Sequence, residues 1–207
     1  MHRIRPRTRS AALRPPLRGV AAPLLLAAVL LPATAAAQTP PQARLQSQGS
    51  EIVFAIKQMG VPVEGRFGRF DAQIALDPRQ PAGGHVSMSI DTGSARFGAA
   101  EIDAEVGKPV WLATAKFPQA SFESSAIKAL GGGRFEVSGQ LSIKGSTQPL
   151  VVPVQITQSG ASSTASGSFA IKRLAFKVGD GEWADTSLVA DEVQVRFKLA
   201  LTGLPPL

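Results

Sequence analysis

His85, Ser87, Ser89 and Asp91 recur at every second position of HVSMSID, and they are the residue types of a base, a nucleophile and an orienting acid. A Ser-His-Asp machine needs those groups to converge on one point. Alternation along a strand instead spaces them out along one face, which reads here as the outer one. Asp91-Thr92-Gly93 matches half of an aspartic-protease signature, but that chemistry shares a proton between two carboxylates and there is no second Asp-Thr-Gly. Asp180, Glu182 and Asp185 could hold calcium weakly, yet GDGEWAD lacks the full loop pattern and reads as an exposed acidic turn. With His85 the only histidine after His2, and no cysteine or tyrosine, a zinc site of the usual kind has no ligand set. The expectation is a protein without catalytic residues, metal or cofactor.

The elements that carry these residues are short and alternating. RFEVSGQLSIKGSTQPLVVPVQI, residues 134–156, puts Phe135, Val137, Gly139, Leu141 and Ile143 on one face, turns at Gly145–Pro149, and resumes with Leu150, Val152, Val154 and Ile156. The same beat runs through 50–58, 66–77, 84–91, 119–128, 164–172 and 191–202, which makes eight candidate strands. Turn-forming stretches such as DPRQPAGG, LGGGR and QSGASS separate them, so the neighbours should be antiparallel. The beat fails over 97–118, where a short helix is expected at Ala99–Val106, and again over Leu174–Ala190. No long amphipathic helix is available to cover the half-apolar strands. They must cover themselves, as a sandwich or as a closed barrel. An eight-stranded barrel is either filled by its own side chains or holds one small ligand. Small inward positions at Ala72, Ser124, Ala126 and Gly139 argue for room inside; the alternative is that apolar side chains from elsewhere fill it.

Residues 1–37 read as a secretory signal peptide: six arginines and no acid, then GVAAPLLLAAVLLP, then an Ala-x-Ala exit at Ala35–Ala37. The apolar run is short and broken by Pro23 and Pro32, so no lasting membrane insertion is expected. The whole chain has 22 Lys and Arg against 15 Asp and Glu, but without the six leading arginines 16 remain against 15. A near-neutral remainder offers no basic patch and excludes a nucleic-acid partner. The predicted organisation is a signal peptide at 1–37, a flexible lead-in at 38–49, a β-domain at 50–203 and a tail at 204–207.

Several stretches, in order, resemble the YceI-like family. They are EIVFAIKQMGVPVEGRFGRFDAQIALDP at 51–78, IDTGS at 90–94, WLATAKFPQASFESSAI at 111–127, GQLSIKGSTQPLVVPV at 139–154 and SFAIKRLAFKVGDGEWADTSLVADEVQVRF at 168–197. The resemblance implies an all-β fold: an eight-stranded antiparallel barrel of lipocalin-like shape, with one or two short helices and a long apolar interior. It also implies export to the bacterial periplasm and binding of a polyisoprenoid or another long-chain lipid. Lys57-Gln58-Met59 departs from the histidine this family often carries near the end of its first strand, and LAFKV at 174–178 departs from its usual wording.

On that reading the ligand is an isoprenoid, an isoprenoid quinone or a fatty acyl chain. The expected contacts are Phe54, Ile56, Phe70, Ile74, Met88, Ile90, Phe122, Leu141, Ile143, Val152, Val154, Phe169, Val195 and Phe197. Trp111 and Trp183, in the irregular stretches, would line the mouth with an indole N–H for a polar head, or else plug the barrel ends. Arg173 would pair with a phosphate or carboxylate head, or with an internal acid. The rival is a solid-cored periplasmic interaction module without ligand, of a stress-response or cytochrome-associated kind. The sequence leaves open whether two chains pair as a homodimer.

Overall fold

The structure is a computed structural model that describes residues 40–207, so residues 1–37, expected to be a signal peptide, lie outside the described residues. Among the described residues ten strands and one α-helix follow one another: β1 Gln42–Gln58, β2 Val61–Phe67, β3 Phe70–Ala75, β4 His85–Asp91, β5 Ala95–Arg96, α1 Ala100–Val106, β6 Gln119–Gly131, β7 Arg134–Ile143, β8 Ser146–Ser159, β9 Ser162–Lys172 and β10 Val189–Thr202. Pairing runs β1-β10-β9-β8-β7-β6-β4-β3 and returns to β1, every pair antiparallel. That is a closed ring of eight strands, the expected barrel. Closure leaves no edge on the ring. β2 continues the line of β3 along the far half of β1, and the two-residue β5 pairs with it.

Three local features depart from the alternation reading. First, β1 begins at Gln42, so most of the expected lead-in is strand. Ala43 is buried, and Gln42–Arg44 pair with β3 while Arg44–Gln46 pair with β10. A register shift between Gln46 and Glu51 breaks the beat there. Ser50 stitches it by donating to Gln46 O and accepting from the Ala200 N–H at 2.9 Å. Second, a bulge between Ser124 and Ala126 flips the end of β6, so Ile127 is buried and Ala126 is exposed rather than inward. Third, the C-terminal tail is docked. Leu204 is buried, Gln158 donates to Pro205 O at 2.8 Å, and the Leu207 N–H donates back to the Gln158 side chain at 2.9 Å.

The short inward residues do not make room by themselves. Phe122 lies over Gly139, Phe54 over Gly65 and Phe197 over Gly167, each ring occupying the space a Cβ would need. Ser124 accepts the Val86 N–H at 2.8 Å. The rings therefore lie along the barrel wall, and the open volume runs between them.

The turn after β4 is a clamp, which accounts for the DTGS motif. Asp91 accepts the Gly93 N–H at 2.8 Å and Arg69 Nε at 2.8 Å. Thr92 donates to Phe117 O, while Ser94 donates to Asp91 O and accepts the Arg69 N–H. The Arg69 guanidinium holds the Asp91 carboxyl below its ordinary value.

Candidate functional site

A cavity of about 610 Å³ runs along the barrel. One end is sealed by Leu76, Phe135, Ile156, Leu201 and Leu204, all buried. At the other end the wall includes Gln58, Glu101 and Ile102, which are exposed, so the cavity opens beside α1 and the β1–β2 hairpin. The wall is almost wholly aliphatic and aromatic because each strand turns every second side chain inward. Its volume falls within the range of sites that take small organic ligands.

The structure sets Phe54 and Ile56 of β1, Ile74 of β3, Met88 and Ile90 of β4, and Phe122 of β6 on this wall. Leu141 and Ile143 of β7, Val152 and Val154 of β8, Phe169 of β9, and Val195 and Phe197 of β10 complete it, with Trp111, Trp183 and Arg173 at the open end. Phe70 is the exception. It packs against the core without bordering the lumen, at the start of β3 just after the chain is clamped at Arg69. Sequence reading missed Phe67, Phe97, Ile102, Val106 and Leu112. Phe54 touches Phe67 and Phe97 with ring centroids 5.0 and 5.2 Å apart, so these three form one aromatic cluster. Ile102 and Val106 sit four apart on α1, a helical spacing that marks one apolar face. The Phe97 N–H fixes the start of that segment by donating to Asp103 at 2.6 Å.

Arg173 corrects the headgroup expectation. Its side chain is 2% exposed and directs every donor nitrogen at backbone carbonyls. Nε donates to Ala190 O, one terminal nitrogen to Val178 O and Gly179 O, and the other to Trp183 O and Val189 O, at 2.6–3.0 Å. No carboxylate pairs with it among the described residues; Asp191, the nearby acid, accepts the Leu174 N–H. Burial lowers the guanidinium's proton affinity, and the Asp191 charge partly opposes that. With its donors engaged, Arg173 pins the 173–190 loop rather than gripping a head. The guanidinium lies 5.9 Å from the Trp111 ring, which packs 5.4 Å from Trp183. Gly179, at φ +68, lies against both Arg173 and Trp111, where any side chain would collide. The Trp111 indole N–H is buried without a partner among the described residues, so it is not presented at the mouth. The two tryptophans are wall pieces of the open end.

The chemistry-bearing residues stay on the outside. His85 Nε2 is 3.2 Å from Glu123, and its Nδ1 is 3.4 Å from Ser124 Oγ. This group lies on the exposed sheet surface, apart from the cavity wall. Asp180 approaches Lys144 at 3.8 Å, and Asp185 accepts from Ser187, which holds its carboxyl below the ordinary value.

Comparison with known proteins agrees with this architecture. The Burkholderia cenocepacia BcnA crystal structure is 44% identical, with a TM-score of 0.73 over 75% of this chain and 98% of that one. A Campylobacter jejuni YCEI protein is 18% identical with a TM-score of 0.61, a likeness of fold. A UPF0312 protein of Yersinia pestis is 35% identical over 116 residues, 56% of this chain; the match spans 60% of the relative's length. A UPF0312 protein of Vibrio cholerae is 28% identical over 155 residues, 70% of this chain and 82% of the relative. The YceI-like domain pattern matches residues 44–201, and the chain belongs to the YceI-like family.

Proposed function

We propose that this protein is an exported binder of a long-chain apolar molecule, an isoprenoid or isoprenoid-quinone tail in the first instance, held inside the barrel. The observation that carries the reading is the 610 Å³ lumen, apolar along its length and sealed at one end. A solid-cored module would fill that volume with its own side chains. Transfer of a methylene from water is worth about 0.8 kcal/mol, so a dozen buried carbons contribute roughly 10 kcal/mol, comparable to the cost of association. Length and bend of the tail then decide affinity. Met88, unbranched and adaptable, suits an irregular guest. A Saccharophagus degradans structure described as a polyisoprenoid binding domain has the same fold, with a TM-score of 0.61 at 16% identity. Residues 1–37 support export, and the periplasm is the proposed compartment.

The test is native mass spectrometry of the mature protein purified without detergent, followed by solvent extraction. A stoichiometric long-chain lipid supports the reading and names its class. A bare protein mass, unchanged after incubation with isoprenoid quinones and polyprenyl phosphates, overturns it.

A further inference from the structure

The elements at the open end carry four exposed apolar side chains, three of which do not line the cavity. Met59 is 70% exposed, Val61 63%, Ile102 42% and Leu188 42%. Met59 and Gly60 form the two-residue tip between β1 and β2, both at positive φ, +48 and +82. Such tips favour Asn-Gly, because asparagine tolerates the left-handed region far better than a long side chain does. Met59 is therefore unfavourable twice over, in its backbone and in its exposure to water. Its N–H donates to Leu188 O at 2.8 Å, which ties the tip to the loop before β10. Ile102 belongs to both surfaces, half out in solvent and half on the cavity wall.

We infer that these side chains dock on a lipid bilayer, setting the open end of the cavity against the acyl layer so that the ligand passes without crossing water. The inference rests on the proposed function, since a water-insoluble ligand resides in a bilayer. Ile102 lines the lumen and is also exposed, so the cavity's apolar wall reaches solvent at this end. Size also favours a bilayer over a second copy of the chain. Four side chains fall well short of the roughly 1,200 Å² that stable protein pairs bury. Shallow insertion at an interface needs only an apolar tip among polar neighbours.

The double variant Met59→Asn, Val61→Thr tests it, since neither residue lines the cavity. Flotation with vesicles of phosphatidylethanolamine and phosphatidylglycerol reads docking without any ligand. Affinity for a quinone presented in detergent micelles reads the cavity separately. The expected result is that the parent floats and the variant floats about tenfold less. The variant should unfold no earlier than the parent and keep its micellar quinone affinity within about twofold. The inference is overturned if the parent does not float, or if the variant floats equally well. It is also overturned if light scattering shows a parent dimer that the variant loses, which would make a second copy the occupant. A parent that floats but takes up no quinone leaves docking standing and defeats the cavity reading instead.

Discussion

Replacing Arg173 with methionine keeps much of the side chain's bulk and removes all five of its hydrogen bonds. The bonds to Gly179 O and Val189 O are fully buried, and the other three are half-buried. A buried acceptor left without a partner costs about 1–3 kcal/mol, so the two deepest carbonyls alone account for roughly 2–6 kcal/mol. Removing the buried cation recovers part of its desolvation penalty. The net expectation is a loss of about 3 kcal/mol, a large share of an ordinary domain's stability. Lysine keeps the charge but has three donors and no planar fork, so Arg173→Lys should lose roughly 2 kcal/mol. Urea unfolding followed by circular dichroism measures both. Hydrogen exchange should show the amides between Val178 and Ala190 losing protection in the methionine variant. The reasoning is refuted if Arg173→Met unfolds within about 0.5 kcal/mol of the parent. Selective loss of acidic-lipid binding in that stable variant would restore a headgroup role.

Two further outcomes follow from the wall and from the clamp. Val195→Trp places a bulky ring on a wall position that is only partly buried; it should cut isoprenoid affinity at least tenfold, read by titration calorimetry, while the melting temperature shifts by only a few degrees. Arg69→Ala removes the cation that holds Asp91 down. A carboxyl depressed in the folded state contributes stability above its unfolded value of about 3.9 and loses it as pH falls through its folded value. The stability gap between parent and Arg69→Ala should therefore be full at neutral pH and shrink below about pH 4; a gap independent of pH would remove Asp91 from the explanation.

The barrel was legible wherever strands kept an unbroken beat. β7, β8 and β10 show their inward residues by alternation alone, and α1 falls within a residue of its expected start. What was hidden depends on events between strands. The β6 bulge exchanges Ala126 for Ile127, and only its pairing with β7 reveals that. The first half of β1 reads as polar because just Ala43 and Leu45 turn toward the core. At the end of β1 Gln58 reaches the cavity wall, and Met59, just after the strand, turns outward. Arg173 looked like a ligand-facing charge because nothing in a sequence announces a cage of carbonyls; the clustered glycines Gly179 and Gly181 were the one hint that the chain doubles back around it.

The first strand and the last complete the ring by pairing with each other, from Arg44 with Thr202 to Gln58 with Val189. A ribosome shields the newest stretch of chain, so this seam cannot zip until Thr202 has cleared the exit tunnel. Every earlier species is an open sheet with two unsatisfied edges and a bare apolar face, the form most exposed to aggregation. Such a chain closes its ring only after β10 has been made. The order of synthesis and the topology of the ring thus make late folding a property of the connectivity itself.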